Sequence, residues 1–209
     1  MKILKRILLG LLGLIALLLL IGLFVKKEYT VEREVTINKP SQEVFNYLRL
    51  LKNQDNFSKW AKMDPGMKKT YTGTDGTVGF VSAWESDRDS VGAGEQEIKA
   101  IEEGKRIDYE LRFKEPFEST ASASMSTEAT GENQTRVKWS FKGSMPYPMN
   151  LMLLFMNMDK MLGNDLSTGL NNLKGIMEQM PSAPAPADPV SAQDSTAADS
   201  ANKAAAGKP

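Results

Sequence analysis

The feature that most constrains the fold of this chain is an uninterrupted apolar segment near its N-terminus. Residues 7–25 read ILLGLLGLIALLLLIGLFV, 19 residues without a charged or hydrogen-bonding side chain. Since a helix rises 1.5 Å per residue, about 20 such residues cross the roughly 30 Å hydrocarbon core of a bilayer. We therefore expect a single membrane-spanning helix within an anchor of residues 1–27.

The alternative interpretation of this segment is a cleaved signal peptide. The apolar part of a signal peptide has roughly 7–15 residues and is followed by a small-residue cleavage site. The run here is longer and ends in Phe24, Val25, Lys26 and Lys27, which offer no such site. The sequence therefore favours an uncleaved anchor.

The basic residues around the segment predict its orientation. Lys2, Lys5 and Arg6 precede it together with the terminal amine, whereas Lys26 and Lys27 follow it. Positive charge is enriched on the cytoplasmic side of membrane helices. We therefore expect a single-pass protein with a cytoplasmic N-terminus and an extracytoplasmic domain.

The C-terminal segment has the composition of a disordered tail. Residues 181–209 are rich in alanine, proline, serine and aspartate and contain no aromatic residue. Such a segment cannot bury enough apolar surface to offset the entropy of ordering it. The expected globular domain is therefore residues 28–180.

The residues that are missing exclude several functions. The chain has no cysteine and no histidine, so it cannot form a disulfide, a catalytic Ser–His–Asp triad, a Cys–His pair or the usual zinc site. Residues 28–180 carry 19 basic and 23 acidic residues, a net charge of about −4. An acidic domain is a poor partner for a phosphate backbone, so we expect no nucleic acid. We also expect no metal and no cofactor.

Apolar periodicity predicts an α+β domain. Residues 29–37 alternate in polarity, with Arg33 the one break on the apolar face, and predict a strand. A helix is expected from Pro40, a second short one over residues 53–62, and a long one over residues 149–180. The six remaining strands are expected at residues 67–71, 77–84, 95–101, 106–113, 118–127 and 135–142.

These elements predict a curved antiparallel sheet of about seven strands around a long C-terminal helix. The strands after the short helices follow one another without an intervening helix, which is typical of an antiparallel meander. Residues 151–162 are apolar nearly all round, so this part of the helix is expected to be buried on more than one side or to face a cavity. Such a sheet can hold a pocket against the helix.

Five sequence segments in this order resemble the SRPBCC superfamily, the START-like or polyketide cyclase/dehydrase-like helix-grip domains. They are VTINKPSQEVF at residues 35–45, Trp60, VGAGEQEI at 91–98, VKWSFKG at 137–143 and GLNNLK at 169–174. The resemblance covers residues 29–180. It implies a cavity for lipids, polyketides or other apolar molecules, and it carries no catalytic residue over to this chain.

The candidate site residues are those expected on the concave sheet face and the early long helix. They are Phe80, Trp84, Gln96, Tyr109, Phe113, Met125, Trp139, Met152, Phe155 and Met156. Each has an alternative role in plain core packing. Glu95 and Glu97 share a strand face and could act as an acid–base pair, but a solvated face is the simpler interpretation.

Three functional classes follow. The preferred one is a non-enzymatic, membrane-anchored module that binds an apolar small molecule or lipid. The second is a membrane-tethered protein-interaction or chaperone-like domain, which needs an exposed apolar patch. The third is a cyclase- or dehydratase-like enzyme, which needs convergent Asp, Glu, Tyr or Arg side chains in the cavity because histidine and cysteine are absent.

Overall fold

The computed structural model describes residues 2–181. Its first element is helix α1 (Lys2–Gly22), which is long and apolar enough to cross a membrane and is the one helix of this kind among the described residues. The prediction of a disordered tail falls, apart from Pro181, outside the described residues.

The domain that follows is a seven-stranded antiparallel sheet gripping a C-terminal helix. The sheet order is β1-β7-β6-β5-β4-β3-β2, so the first strand pairs with the last. The strands are β1 (Glu28–Ile37), β2 (Lys68–Thr72), β3 (Val81–Glu85), β4 (Ala93–Glu102), β5 (Arg106–Glu115), β6 (Ser119–Gly131) and β7 (Gln134–Ser144). The helices are α2 (Ser41–Arg49), α3 (Gln54–Phe57), α4 (Lys59–Met63) and α5 (Met158–Gln179), with 3₁₀ helices at Leu51–Asn53 and Met149–Leu154. The predicted α+β helix-grip fold is confirmed.

The long C-terminal helix is shorter than predicted. Residues 149–180 were expected to form one helix, but the 3₁₀ helix Met149–Leu154 stops before α5 begins at Met158. Asn157 starts the new helix, because its side chain accepts a hydrogen bond from the Lys160 backbone N–H at 2.8 Å. The expected helix over residues 53–62 is likewise split, into a 3₁₀ turn and the short helices α3 and α4.

Arg33, the polar break on the inner face of β1, ties that strand to the start of α5. Its guanidinium donates to both carboxylate oxygens of Asp159, at 2.8 and 2.9 Å, and to the Asp159 carbonyl at 2.8 Å. The same hydrogen bonds lower the pKa of Asp159. Gly163 makes room for the guanidinium, since a Cβ there would overlap it. Arg33 therefore interrupts the apolar face of β1 because it forms an ion pair with Asp159, and the strand itself is regular.

The antiparallel register places one terminus of each of the seven strands at one end of the sheet, which we call the anchor end. Glu28, the first residue of β1, is separated from α1 by five residues and pairs with Ser144 of β7. The start of β6, the end of β5, the start of β4 and the end of β3 lie at the same end. The opposite end carries the turn between β6 and β7 and the loop between β2 and β3.

The closed core occupies the half of the grip away from the anchor end. There α2 and the second half of α5 pack against the sheet around a cluster of buried side chains. The buried side chains of this region include Ile37, Val44, Phe45, Leu48, Phe80, Ile98, Ile107, Tyr109, Met125, Val137, Leu170, Leu173 and Met177. Burial of this apolar set is the main favourable contribution to folding. Because this half of the grip supplies the core, the other half does not need to be closely packed.

Candidate ligand pocket

A cavity of about 220 Å³ opens in the half of the grip nearer the anchor end. Its floor is the inner face of strands β3 to β7, and its walls are α3, α4 and the first half of α5. The apolar lining is Leu51, Trp60, Ala61, Met67, Trp84, Val91, Leu111, Phe113, Ala123, Trp139, Phe141, Leu162 and Leu166. Mostly apolar walls with a few polar groups are typical of small-molecule sites.

All three tryptophans of the chain line this cavity. Trp60 of α4 meets Trp139 of β7 edge-to-face, with ring centroids 6.1 Å apart. Trp84 of β3 meets Phe113 of β5 in the same way at 5.9 Å. Edge-to-face pairs hold large rings in fixed orientations, so the aromatic walls keep their shape without a ligand.

Two glycines allow the indoles to lie where they do. A Cβ on Gly94 would lie 2.6 Å from Cζ2 of Trp84, so the ring lies against the backbone of that part of β4. A Cβ on Gly169 of α5 would lie 2.8 Å from Cζ3 of Trp139. Both contacts are closer than real Cβ atoms tolerate, so these positions require glycine for the pocket to keep its form.

The polar groups of the pocket fall into two sets. Asp55 and Lys69 form an ion pair, and the hydroxyl of Tyr71 donates to Asp55 at 2.6 Å. The second set is neutral and consists of the side chains of Gln54, Ser58, Ser82 and Gln96. Within residues 2–181 these four side chains have no hydrogen-bonding partner in the protein. They are therefore available to a bound molecule.

Gln96 is, with Ser58, one of the two buried members of this neutral set. It lies on the inner face of β4, directly opposite Ser82 of β3 and Leu111 of β5, and is buried. Its amide has no hydrogen-bonding partner among the described residues, and its nitrogen and oxygen atoms are open to the cavity. A ligand with a hydroxyl or carbonyl group can therefore bond to this amide in place of water.

The ten predicted site residues separate into three groups. Trp84, Gln96, Phe113 and Trp139 line the cavity. Phe80, Tyr109 and Met125 share the inner face but belong to the closed core; burial also raises the pKa of Tyr109, which keeps its phenol protonated. Met152, Phe155 and Met156 lie outside the cavity lining, because the break before α5 directs that segment away from the sheet.

Some lining residues were not anticipated from the sequence. Trp60, Ala61 and Ser58 come from the short helices α3 and α4 and the residue between them, and Leu162 and Leu166 come from α5. The sequence offers two signals for this wall, and the first is the isolated Trp60 that forms part of the family resemblance. The other signal is Asn157 followed by Asp159, a helix-start pattern that would have placed the first turn of α5 correctly.

Glu95 and Glu97 lie on the outer face of β4, away from the cavity. Arg112 donates to Glu95 and to Glu97, each at 2.7 Å, and also pairs with Glu110. These hydrogen bonds lower the pKa of Glu95 and of Glu97. Two carboxylates held in their ionised form by an arginine are poorly suited to donate a proton near neutral pH. Within the described residues no cluster of three acidic side chains is arranged to hold a metal ion.

Comparisons with known proteins agree on the fold. The family described as polyketide cyclase/dehydrase and lipid transport matches residues 28–178. Norcoclaurine synthase from Thalictrum flavum superposes with a TM-score of 0.56 at 9% identity, covering 74% of this chain and 96% of the enzyme. A Mesorhizobium loti protein gives 0.53 at 16% identity, covering 73% and 99% of the two chains.

A Chromobacterium violaceum protein gives a TM-score of 0.51 at 12% identity, covering 72% of this chain and 98% of that one. At such identities these likenesses concern the fold alone. No curated protein matches the chain. The family match spans nearly the whole domain, so the chain belongs to the polyketide cyclase/dehydrase and lipid transport family of the SRPBCC superfamily.

Proposed function

We propose that this protein is a membrane-anchored module that binds an apolar or amphipathic small molecule, or one chain of a lipid, in the cavity beside α5. The observation that carries the proposal is the set of three tryptophans around one cavity. In a domain whose other half holds a cluster of buried side chains, an aromatic-walled space maintained by two glycines is a costly feature unless something occupies it.

The size of the cavity limits the ligand. An apolar cavity of roughly 150 Å³ accommodates benzene, so about 220 Å³ suits a small ring system or part of an acyl chain. The neutral groups of Gln96, Ser82 and Ser58 favour a ligand that carries a hydroxyl or carbonyl group. A charged headgroup would have to displace the ion pair between Asp55 and Lys69.

The position of the cavity supports a ligand taken from the membrane. Trp84, Phe113 and Phe141 lie in the parts of their strands nearer the anchor end. If α1 spans the bilayer, this half of the domain faces the lipid. Residues 28–180 would be the binding domain, residues 1–27 its anchor, and the positive charges before α1 would leave the domain outside the cytoplasm.

The structure offers less support for an enzyme. Among the described residues that line the cavity, Asp55 is the one Asp, Glu, Tyr or Arg side chain, so the convergent set that an enzyme would need is not assembled there. The outer-face pair Glu95 and Glu97 does not reach the cavity. The protein-interaction class has one observation in its favour, an exposed apolar segment before α5, which is taken up below.

Native mass spectrometry of the full chain in lipid nanodiscs tests the proposal. We expect a protein peak with the added mass of one small apolar molecule in the wild type. The Ala123→Leu variant, which narrows the cavity from its floor, should lose that adduct. An adduct of equal abundance in both proteins, or none in either, would contradict binding in this cavity.

A further inference from the structure

The segment before α5 exposes an apolar surface that the ligand pocket does not explain. Phe155 is 82% exposed, Leu154 53%, Met149 50% and Met152 43%. From residue 143 to residue 158 the chain carries no charged side chain. Contiguous exposed apolar surface without charge marks a contact with a partner or a membrane. We call residues 147–155 the apolar patch.

Hydrogen bonds fix the apolar patch to the end of α1. Asn150 is fully buried, and its Nδ2 donates to the Gly22 carbonyl at 2.7 Å and to the Val25 carbonyl at 3.0 Å. These carbonyls lie where α1 ends and have no helical partner further along the chain. The Met145 backbone N–H donates to the Lys27 carbonyl at 2.7 Å.

Packing reinforces the same junction. Gly22 is buried, and a Cβ there would lie 3.2 Å from Cγ of Leu151 and 3.2 Å from Cε2 of Tyr147. The Oδ1 of Asn150 is buried and accepts no hydrogen bond from the described residues. Burying an amide in this way is favourable only through its two donated bonds, so the joint between patch and helix is specific.

This joint determines the depth of the patch relative to a bilayer. The apolar run that forms most of α1 ends three residues after the helix, at Val25, and is followed by Lys26 and Lys27, whose charges belong at the headgroups. A segment bonded to Gly22 and Val25 must lie at the same level. We propose that the apolar patch inserts into the bilayer interface beside α1 and forms a second membrane contact of the domain.

A bilayer fits this surface better than a protein partner does. The patch lies directly against the membrane helix, so a protein covering it would have to displace lipid there. Tyrosine and other amphipathic or apolar side chains beside basic residues are typical of the interfacial layer. The patch also accounts for Met152 and Phe155, which the sequence pattern had assigned to the cavity.

Spin labelling tests the depth of the patch in the full chain. The protein has no cysteine, so single labels at Phe155→Cys, Leu12→Cys and Val78→Cys are unambiguous. Leu12 lies in the middle of α1, and Val78 is an exposed apolar residue at the end of the sheet away from the anchor. Each protein is reconstituted in phosphatidylcholine/phosphatidylglycerol vesicles, and accessibility to oxygen is compared with accessibility to a water-soluble nickel chelate.

We expect the Leu12 label to favour oxygen strongly, the Phe155 label to favour oxygen moderately, and the Val78 label to favour nickel. Adding Asn150→Ala should shift the Phe155 ratio towards that of Val78 and leave Leu12 unchanged. Nickel accessibility at Phe155 equal to that at Val78 would overturn the proposal, as would a water-exposed Leu12. A Phe155 label shielded from both reagents would also overturn it, since a protein would then cover the patch.

Discussion

The indole of Trp84 lies directly over Gly94 of the neighbouring strand, so closely that a Cβ on Gly94 would be 2.6 Å from Cζ2 of the ring. The same Cβ would lie 2.7 Å from the Arg112 carbonyl of the next strand. The glycine therefore serves two needs at once, since it permits the pairing of β4 with β5 and allows the ring to form a pocket wall. A methyl group added at Gly94 would therefore clash with both the ring and the carbonyl oxygen.

Substitution of Gly94 should for this reason destabilise the domain. We expect Gly94→Ala to lower the free energy of unfolding by about 1–3 kcal/mol, the usual cost of overpacking. Gly175→Ala is the control, because nothing lies within 4 Å of a Cβ at that helical position. It should be neutral or stabilise by up to about 1 kcal/mol, as alanine does in helices. Urea unfolding of both variants checks the difference; equal effects would contradict this packing.

Filling the cavity should weaken ligand binding without harming the fold. Ala123 lies on the cavity floor between Tyr109 and Phe141 of the adjacent strands. We expect Ala123→Leu to change the free energy of unfolding by less than about 1 kcal/mol, because the added atoms enter free space. A ligand at a hundredfold excess over Kd should stabilise the wild type by about 2.7 kcal/mol and the variant much less.

The matched control for this change is Ala100→Leu, on an exposed position of β4. It should leave both stability and the ligand-induced stabilisation as in the wild type. Thermal unfolding with and without ligand measures both quantities. A loss of several kcal/mol in Ala123→Leu without ligand would show that the space is already filled in solution.

Removing the amide of Gln96 should weaken the binding of a hydroxyl-bearing ligand but not the binding of a hydrocarbon. Gln96→Leu keeps the approximate size of the side chain and removes a group without a hydrogen-bonding partner among the described residues. We expect roughly 2–10-fold weaker binding of an apolar probe that carries a hydroxyl, the effect of one hydrogen bond of about 0.5–1.5 kcal/mol. The corresponding hydrocarbon should bind the variant at least as well. Equal losses for the two probes would show that Gln96 does not contact the ligand's polar group.

Some parts of this structure could be predicted from the sequence and others could not. Alternation placed the inner faces of the strands correctly, and even Arg33 fits once its pairing with Asp159 is known. Alternation cannot distinguish Tyr109, in the closed core, from Phe113, in the cavity wall, because both occupy the same face of β5. That distinction depends on which helix lies opposite, a property of tertiary packing.

The segment before α5 shows a second limit. An apolar run such as residues 149–156 reads equally well as a cavity wall or as an exposed surface. Its environment is decided by the helix break at Asn157 and by the bonds from Asn150 to the end of α1. Contacts made 128 residues apart in sequence leave no trace in local periodicity.

The cluster of Arg112 with three glutamates on the outer face predicts that stability depends on pH. The pKa values of Glu95 and Glu97 are lowered in the folded state, mainly by hydrogen bonds from Arg112. Their contribution is therefore present above the ordinary glutamate pKa of about 4.3 and is lost as pH falls through the lower folded values. Arg112→Gln should cost about 1 kcal/mol at pH 7 and less at pH 3.

Arg136→Gln is the comparison, because it removes one exposed ion pair with Glu128. Its cost at pH 7 should be smaller than that of Arg112→Gln. Urea unfolding at pH 7 and pH 3, monitored by tryptophan fluorescence, gives the cost in unfolding free energy of each substitution at each pH. A cost for Arg112→Gln that does not shrink at pH 3 would contradict the assigned carboxylate pairing.

Tryptophan quenching tests the central claim, occupation of the cavity by an apolar molecule, most directly. All three tryptophans line the cavity, so a fatty alcohol brominated on its chain should quench their emission on contact. With the full chain in nanodiscs, we predict saturable quenching at about micromolar concentration, reversed by the unbrominated alcohol and largely absent in Ala123→Leu. Quenching that never saturates, or that is equal in wild type and variant, would contradict a ligand in this pocket.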